Sequence, residues 1–307
     1  GVLKEMPPVT DPVGILDLKM LYNFCTLLRA RGQDVAALLN VFSVTIEQSV
    51  HAAGLPLTYH PSYEDIVLNN PPEDMRTYLK GEVGESESAF YRGHQFIEEE
   101  LAIAVDALLK VRKERDLNQE IKLRELARAR DACRRVSAKM RDFISGLKRD
   151  HFLLFKPFFD SDPVTGEKGP SGAFSAKIPT VDILIYGDQT PADIFAYLDS
   201  NRKYFPSTDL RALDAIRQQG RGLYGMILDK ELPEKAEAMV IEIAMIMRSF
   251  RQSHLGAVHK HIGPSVTGSA EGGDATLLLL SRIKSFNELY AKMQQTQKGG
   301  RPHAPKK

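Results

Sequence analysis

Two of the eight histidines, His94 and His254, fall on apolar stripes of helical period rather than on polar faces. At 3.6 residues per turn, Ile243, Met247, Phe250, His254, Val258 and His261 share one side of a helix. Phe90, His94, Ile97, Leu101, Val105 and Leu108 share one side of another, with Glu99 and Glu100 pointing away. An imidazole among apolar side chains has two ring nitrogens to satisfy. A metal is one possible partner; a backbone carbonyl or a water is another. Each histidine also has a glycine close by, Gly93 and Gly256, although glycine inside a helix costs about 1 kcal/mol against alanine. Close approach of a large flat ligand is one reason to accept that cost. A zinc centre made from His254, His259 and His261 is disfavoured, because residues five apart on a helix point in different directions. His259 and His261 are read as surface and supporting residues.

Composition narrows the classes. A chain of 307 residues with 43% hydrophobic and 26% charged residues can bury a large core. A formal net charge of +1 gives no reason to expect nucleic acid or a membrane surface as partner. Cys25 and Cys133 are too few and too isolated for a disulfide framework or a thiolate zinc site, and Cys133 reads as a small core hydrophobe. No apolar run has transmembrane length, and GVLKEMPPVTDP lacks the basic and apolar segments of a signal peptide, so a cytoplasmic protein is expected.

The elements that must position the histidines are mostly helices. One is expected over 15–31, ended by Gly32, and a second from about Asp34 to Ala53. Residues 54–79 read as loop, held on the body by Leu57, Tyr59, Tyr63, Ile66 and Leu68. Ser86 or Ser88 is expected to open the helix that carries His94. Over 117–150, Ala129, Cys133, Val136, Met140, Phe143 and Leu147 step by threes and fours, giving an amphipathic helix with a solvated basic face. Few aromatic residues interleave its charges, so it reads as scaffold. By composition, Thr180-Val181-Asp182-Ile183-Leu184-Ile185 argues for a short strand. Helices starting near Thr190-Pro191 and at Ser207 follow, then a long one over 233–262, a glycine-rich loop, and a last helix over about 275–295. The division expected is 1–80 as helices and irregular chain covering the body, 81–296 as the main helical domain, and 297–307 as a disordered tail.

SFRQSHLGAVHKHIGPSVTGSAEGGDATLLL resembles the proximal-haem segment of the tryptophan 2,3-dioxygenase and indoleamine 2,3-dioxygenase superfamily, with Arg251, His254, Ile262, Gly263 and the loop at 267–273 matching in order. RGHQFIEEELAIA resembles the distal helix of that superfamily, and GPSGAFSAKIPTVDILIYGD the segment beside the haem, which is helical there; that implication outweighs the strand reading. NPPEDMRTYLKGEVGESESAF is similar to pyrrolnitrin-pathway haem enzymes of the monodechloroaminopyrrolnitrin synthase type. The likeness covers about residues 66–290.

It implies a mainly α fold in which long helices sandwich a haem b. It also implies an oxygenase that uses dioxygen on an indole- or tryptophan-like compound. His254 would be the proximal iron ligand, with Arg251 nearby, and His94 the distal acid or base. Phe90, Ile97, Phe174 and Ile178 would wall the haem or substrate. The chain departs from the pattern in two places. Lys156, in LFKPFF, stands where the dioxygenases place an arginine for the substrate carboxylate, and lysine pairs a carboxylate as a point charge without a bidentate fork. The loop reads TGSAEGG, so substrate contacts are expected from Thr267, Gly268 and Ser269. Members form monomers, dimers and tetramers, so a homo-oligomer is compatible. Other readings stay open: a haem monooxygenase, a peroxide-using hydroxylase, a ring-rearranging enzyme of secondary metabolism, or a cofactor-free helical interaction protein.

Overall fold

Apolar stripes of helical period become helices, and the first two form a pair. Asp11 caps α1 (Pro12–Ala30) by accepting from the Gly14 N–H at 2.7 Å, and a short turn leads into α2 (Ala36–Ala52). The computed structural model describes residues 6–113, 118–261 and 275–298. One face of α1 (Ile15, Leu18, Tyr22, Cys25) packs with Leu39, Ile46 and Val50 of α2, while Leu16 and Met20 enter the main core. In the irregular segment that follows, Tyr63 and Ile66 are buried by a π-helical turn at Glu64–Leu68. Leu57 and Leu68 face solvent, contrary to expectation. The anchor there is polar instead: the buried Lys19 ammonium donates to Asp65 at 2.8 Å and to the Thr58 hydroxyl at 3.0 Å.

The helix carrying His94, α3 (Gly81–Lys113), starts before both serines expected to open it. Glu87 is the reason. Its buried carboxylate reaches back and accepts from the Tyr78 and Leu79 N–H groups at 2.9 and 3.1 Å, fixing the chain that enters the helix. Asn118 then caps α4 (Gln119–Gly146), accepting from the Glu120 N–H. The fully buried stripe of α4, including Ala129, Cys133 and Val136, packs against both α3 and the later helix α10 (Glu234–His261). Its basic side is paired across both neighbours: Arg135 forks onto Glu100 at 2.7 and 2.8 Å, Arg128 meets Asp106, and Arg134 meets Glu242. Exposed pairs of this kind contribute about 0–1 kcal/mol each. They account for the charge run as scaffold.

Between α4 and α10 come α5 (Arg149–Phe155), α6 (Lys177–Tyr186), α7 (Ala192–Ser200), α8 (Ser207–Gln218) and α9 (Leu223–Leu228), and after α10 comes α11 (Ala275–Lys298). The β-branched run is helical, as α6. Every residue from Thr180 to Tyr186 is buried, and a helix covered on all sides needs no polar face. Gly187, at φ 60°, stops it; an added Cβ there would lie 2.0 Å from the Gly222 nitrogen, so the crossing with the chain before α9 requires glycine. The short, buried α9 was not anticipated. Among the described residues the molecule is helical without a named strand, and no helix is long and apolar enough to cross a membrane.

Candidate functional site

A cavity of about 250 Å³ opens among α3, the second half of α10, α6 and the aromatic segment around α5. Phe90, Phe143, Phe152, Phe159, Phe250 and Ile178 supply apolar wall. His94 of α3 and His254 of α10 both line it, so the two stripes picked out in the sequence converge on one space.

His94 is the better defined of the pair. Its Nδ1 lies 2.9 Å from the Phe90 carbonyl, one helical turn back. A carbonyl only accepts, so Nδ1 carries the proton and the neutral ring keeps its lone pair on Nε2. Nε2 faces the backbone at Gly172, where an added Cβ would stand 3.2 Å away. Burial holds His94 below the ordinary imidazole value of 6.5, against the Phe90 carbonyl and the Glu98 charge, which favour the protonated ring. Phe90 and Phe143 pack on the imidazole, with ring centres at 4.5 and 5.4 Å, and Tyr63 meets it edge-on at 6.2 Å. His254 has Phe250 as its aromatic neighbour at 6.3 Å.

Arg251 and Lys156 also line the cavity, and both have counter-ions. Arg251 is paired with buried Asp182 of α6, and its guanidinium lies 4.1 Å from the Phe286 ring centre. That contact fastens α10 to α6 and α11. The Lys156 ammonium donates to Asp160 at 2.5 Å, so it presents an ion pair to the cavity rather than a bare cation. His261 is buried in the wall, while His259 is exposed.

Two expected wall residues lie elsewhere. Ile97 is buried in the core one turn beyond His94, where α3 is closed over by its neighbours. Phe174 leaves the 3-10 turn at Gly172–Phe174 in the other direction and stacks on Tyr204 with ring centres 5.0 Å apart. Thr267, Gly268 and Ser269 lie outside the described residues. The glycines also have a different reason from the one expected. A Cβ on Gly93 would stand 1.8 Å from the Phe143 ring, so Gly93 admits α4. Gly256 is exposed, and among the described residues nothing outside its own helix backbone lies within 4 Å of an added Cβ.

The sequence reading missed Ser175 and Glu98. Ser175 lines the cavity with its buried hydroxyl lacking any hydrogen-bond partner among the described residues. Glu98 sits four residues after His94 and is buried, a signal available from the helical period alone.

The donor set can be tested against a haem. Among the described residues no three His, Cys, Asp or Glu side chains are grouped to hold a bare metal ion. A porphyrin brings four ligands to its iron and asks the protein for one axial imidazole. An imidazole on α10, with another on α3 and aromatic walls between, fits that requirement. In the comparisons with known proteins, no family model matches the chain, and no curated protein matches it.

Proposed function

We propose that this cavity holds a haem b and that the protein is a haem-dependent oxygenase of an indole- or tryptophan-like aromatic compound, with dioxygen as co-substrate. The observation that carries the reading is the convergence of His94 and His254, from two separate helices, on one aromatic-walled cavity. The likeness of residues 66–290 to the tryptophan and indoleamine dioxygenase superfamily supports it. In this reading His254 would hold the haem iron, and bound haem would supply the oxygen activation that no amino-acid side chain provides.

The remaining work falls to the chain. Phe90, Phe143, Phe152 and Phe159 exclude water and hold a flat ring. His94, neutral near pH 7 with its Nε2 lone pair toward the cavity, accepts a proton from a substrate N–H. Lys156 orients a substrate carboxylate only by sharing its ammonium with Asp160. Arg251, committed to Asp182, keeps α10 in place so that His254 is presented correctly.

The absorption spectrum of the purified, haem-supplemented protein tests the reading. A Soret band is expected in the native chain and is lost in His254→Ala; equal haem loading in the two sinks the role of His254 in holding the iron. Turnover under isotopically labelled dioxygen then separates the chemistries. Two labelled atoms in the product are expected for a dioxygenase. One identifies a monooxygenase, and none a peroxide-using or ring-rearranging enzyme.

A further inference from the structure

The polar side chains of the cavity wall divide into those with partners and one without. The two basic side chains of the wall among the described residues, Arg251 and Lys156, are both held by carboxylates. Arg251 is paired with Asp182, which is buried and belongs to the same wall. The Lys156 ammonium donates to Asp160, four residues along the chain, at 2.5 Å. Tyr63, Tyr91 and Tyr197 give their hydroxyl protons to Glu98, to Glu87 and to the Ala173 carbonyl. An anionic ligand therefore meets no free lysine or arginine among the described residues. A carboxylate taken out of water without a counter-ion is strongly disfavoured.

Ser175 is the exception. It lines the cavity, is 2% exposed, and its hydroxyl has no hydrogen-bond partner among the described residues. The local structure explains why this hydroxyl is left over. A serine at a helix start ordinarily caps it, but Ala176 holds the cap position of α6, and that end has no side-chain cap. At the preceding turn the cap is Ser171, which accepts from the Ala173 N–H at 3.2 Å. The Ser175 N–H closes the same turn onto the Gly172 carbonyl at 3.2 Å, so the residue sits beside the backbone that His94 Nε2 faces. Pro179, one turn on, has no N–H to offer the Ser175 carbonyl. A hydroxyl brings one donor and two acceptor positions, and burying them all unused is unfavourable until a ligand meets them.

We propose that the cavity selects an uncharged aromatic compound, one carrying an amide, alcohol or ketone in place of a carboxylate, and that the Ser175 hydroxyl receives this group. The inference rests on the reading of the cavity as a site for an indole-like ring, and it narrows that reading. The ring N–H goes to His94 Nε2. The neutral polar group goes to Ser175, which donates to a carbonyl or accepts from an amide or alcohol. The corresponding acid is excluded by its charge. To find a cation it must take Lys156 from Asp160 or Arg251 from Asp182, and removing Arg251 leaves a buried carboxylate unpaired.

Indole-3-acetamide and indole-3-acetate have nearly the same shape and differ in charge, so calorimetric titration of the full chain with each, at neutral pH, tests the proposal. The acetamide is expected to bind about tenfold tighter than the acetate. Ser175→Ala should weaken the acetamide about fivefold, the size of one net hydrogen bond, and leave the acetate within about twofold. Its melting temperature should stay at or above the native one, because the change removes an unpaired buried hydroxyl. Asp160→Asn frees the Lys156 ammonium and should strengthen acetate binding about tenfold, erasing the preference. Equal binding of the two compounds by the native chain, or tighter binding of the acetate, overturns the proposal. So does an acetamide affinity unchanged in Ser175→Ala, or an acetate affinity unchanged in Asp160→Asn. A Ser175→Ala variant that melts well below the native protein overturns it too, since the hydroxyl would then have a partner before any ligand arrives. If neither compound binds, the aromatic reading falls and the proposal with it. The Soret band decides haem separately. Preference for the acetamide in a chain that takes up no haem keeps the selectivity and removes the oxygenase; a haem-loaded chain that prefers the acetate does the reverse.

Discussion

At the scale of single residues, the proposed chemistry depends most on the direction of one proton on His94. Because Nδ1 is spent on the Phe90 carbonyl, the cavity sees a base rather than a donor. His94→Ala should therefore retain haem yet slow turnover by about 10²-fold, the lower range for a lost general base. Haem content measured beside the rate checks this, and a rate within twofold of native would remove His94 from the mechanism. Gly172 offers a finer probe. A methyl there would stand 3.2 Å from Nε2, in the space a substrate proton needs. Gly172→Ala should weaken the aromatic-induced spectral shift by about tenfold, or 1.4 kcal/mol, with thermal stability near native. A stable variant that binds aromatics normally would show that Nε2 does not face the ligand. Cys133 belongs to the same scale by contrast: burial pushes its thiol up to about 12, so it acts as core and not as a nucleophile.

At the scale of elements, α4 decides how far apart α3 and α10 stand, because it packs against both. The approach of α4 to α3 passes over Gly93, where Phe143 leaves no space for a Cβ. Gly93→Ala should destabilise the protein by about 1–3 kcal/mol through overpacking. Adding Phe143→Leu should recover part of the loss. Urea denaturation of the single and double variants measures it, and a single variant as stable as native would mean that the ring turns aside without strain. The α3–α4–α10 arrangement also shows where the basic run of α4 is used within the fold. Its arginines find Glu100, Asp106 and Glu242 on the adjoining helices.

At the scale of the whole molecule, buried neutral imidazoles set an acid limit. Burial lowers both His60 and His94 below 6.5 in the folded protein. As pH falls through that ordinary value, the unfolded chain takes up protons that the folded one refuses, and folding stability declines. The decline continues until the lowered folded values are reached. The urea midpoint should thus be lower at pH 5.5 than at pH 7.5 (roughly one unit either side of an unperturbed histidine), with a smaller difference in His60→Gln. An identical pH dependence in that variant would assign the effect to other groups. His60 is placed to report on the fold as a whole. Its N–H and that of Tyr59 donate to Glu167, which ties the N-terminal segment to the loop leading into the cavity wall.

Much of this architecture was readable before any coordinates. The stripes of α3, α4 and α10 are long, and one buried face in 3.6 residues leaves an unmistakable period. So the identity of the two candidate histidines and the mainly helical class follow from sequence alone. The strand-like composition of α6 misleads because total burial erases periodicity, and α9 is too short to show any. Tertiary structure alone decided that His94 and His254 share a cavity, that Ile97 and Phe174 do not reach it, and that Lys156 and Arg251 arrive with counter-ions. A helical period fixes the direction of a side chain around its own axis. The partner it meets depends on how separate helices pack, which local spacing does not encode.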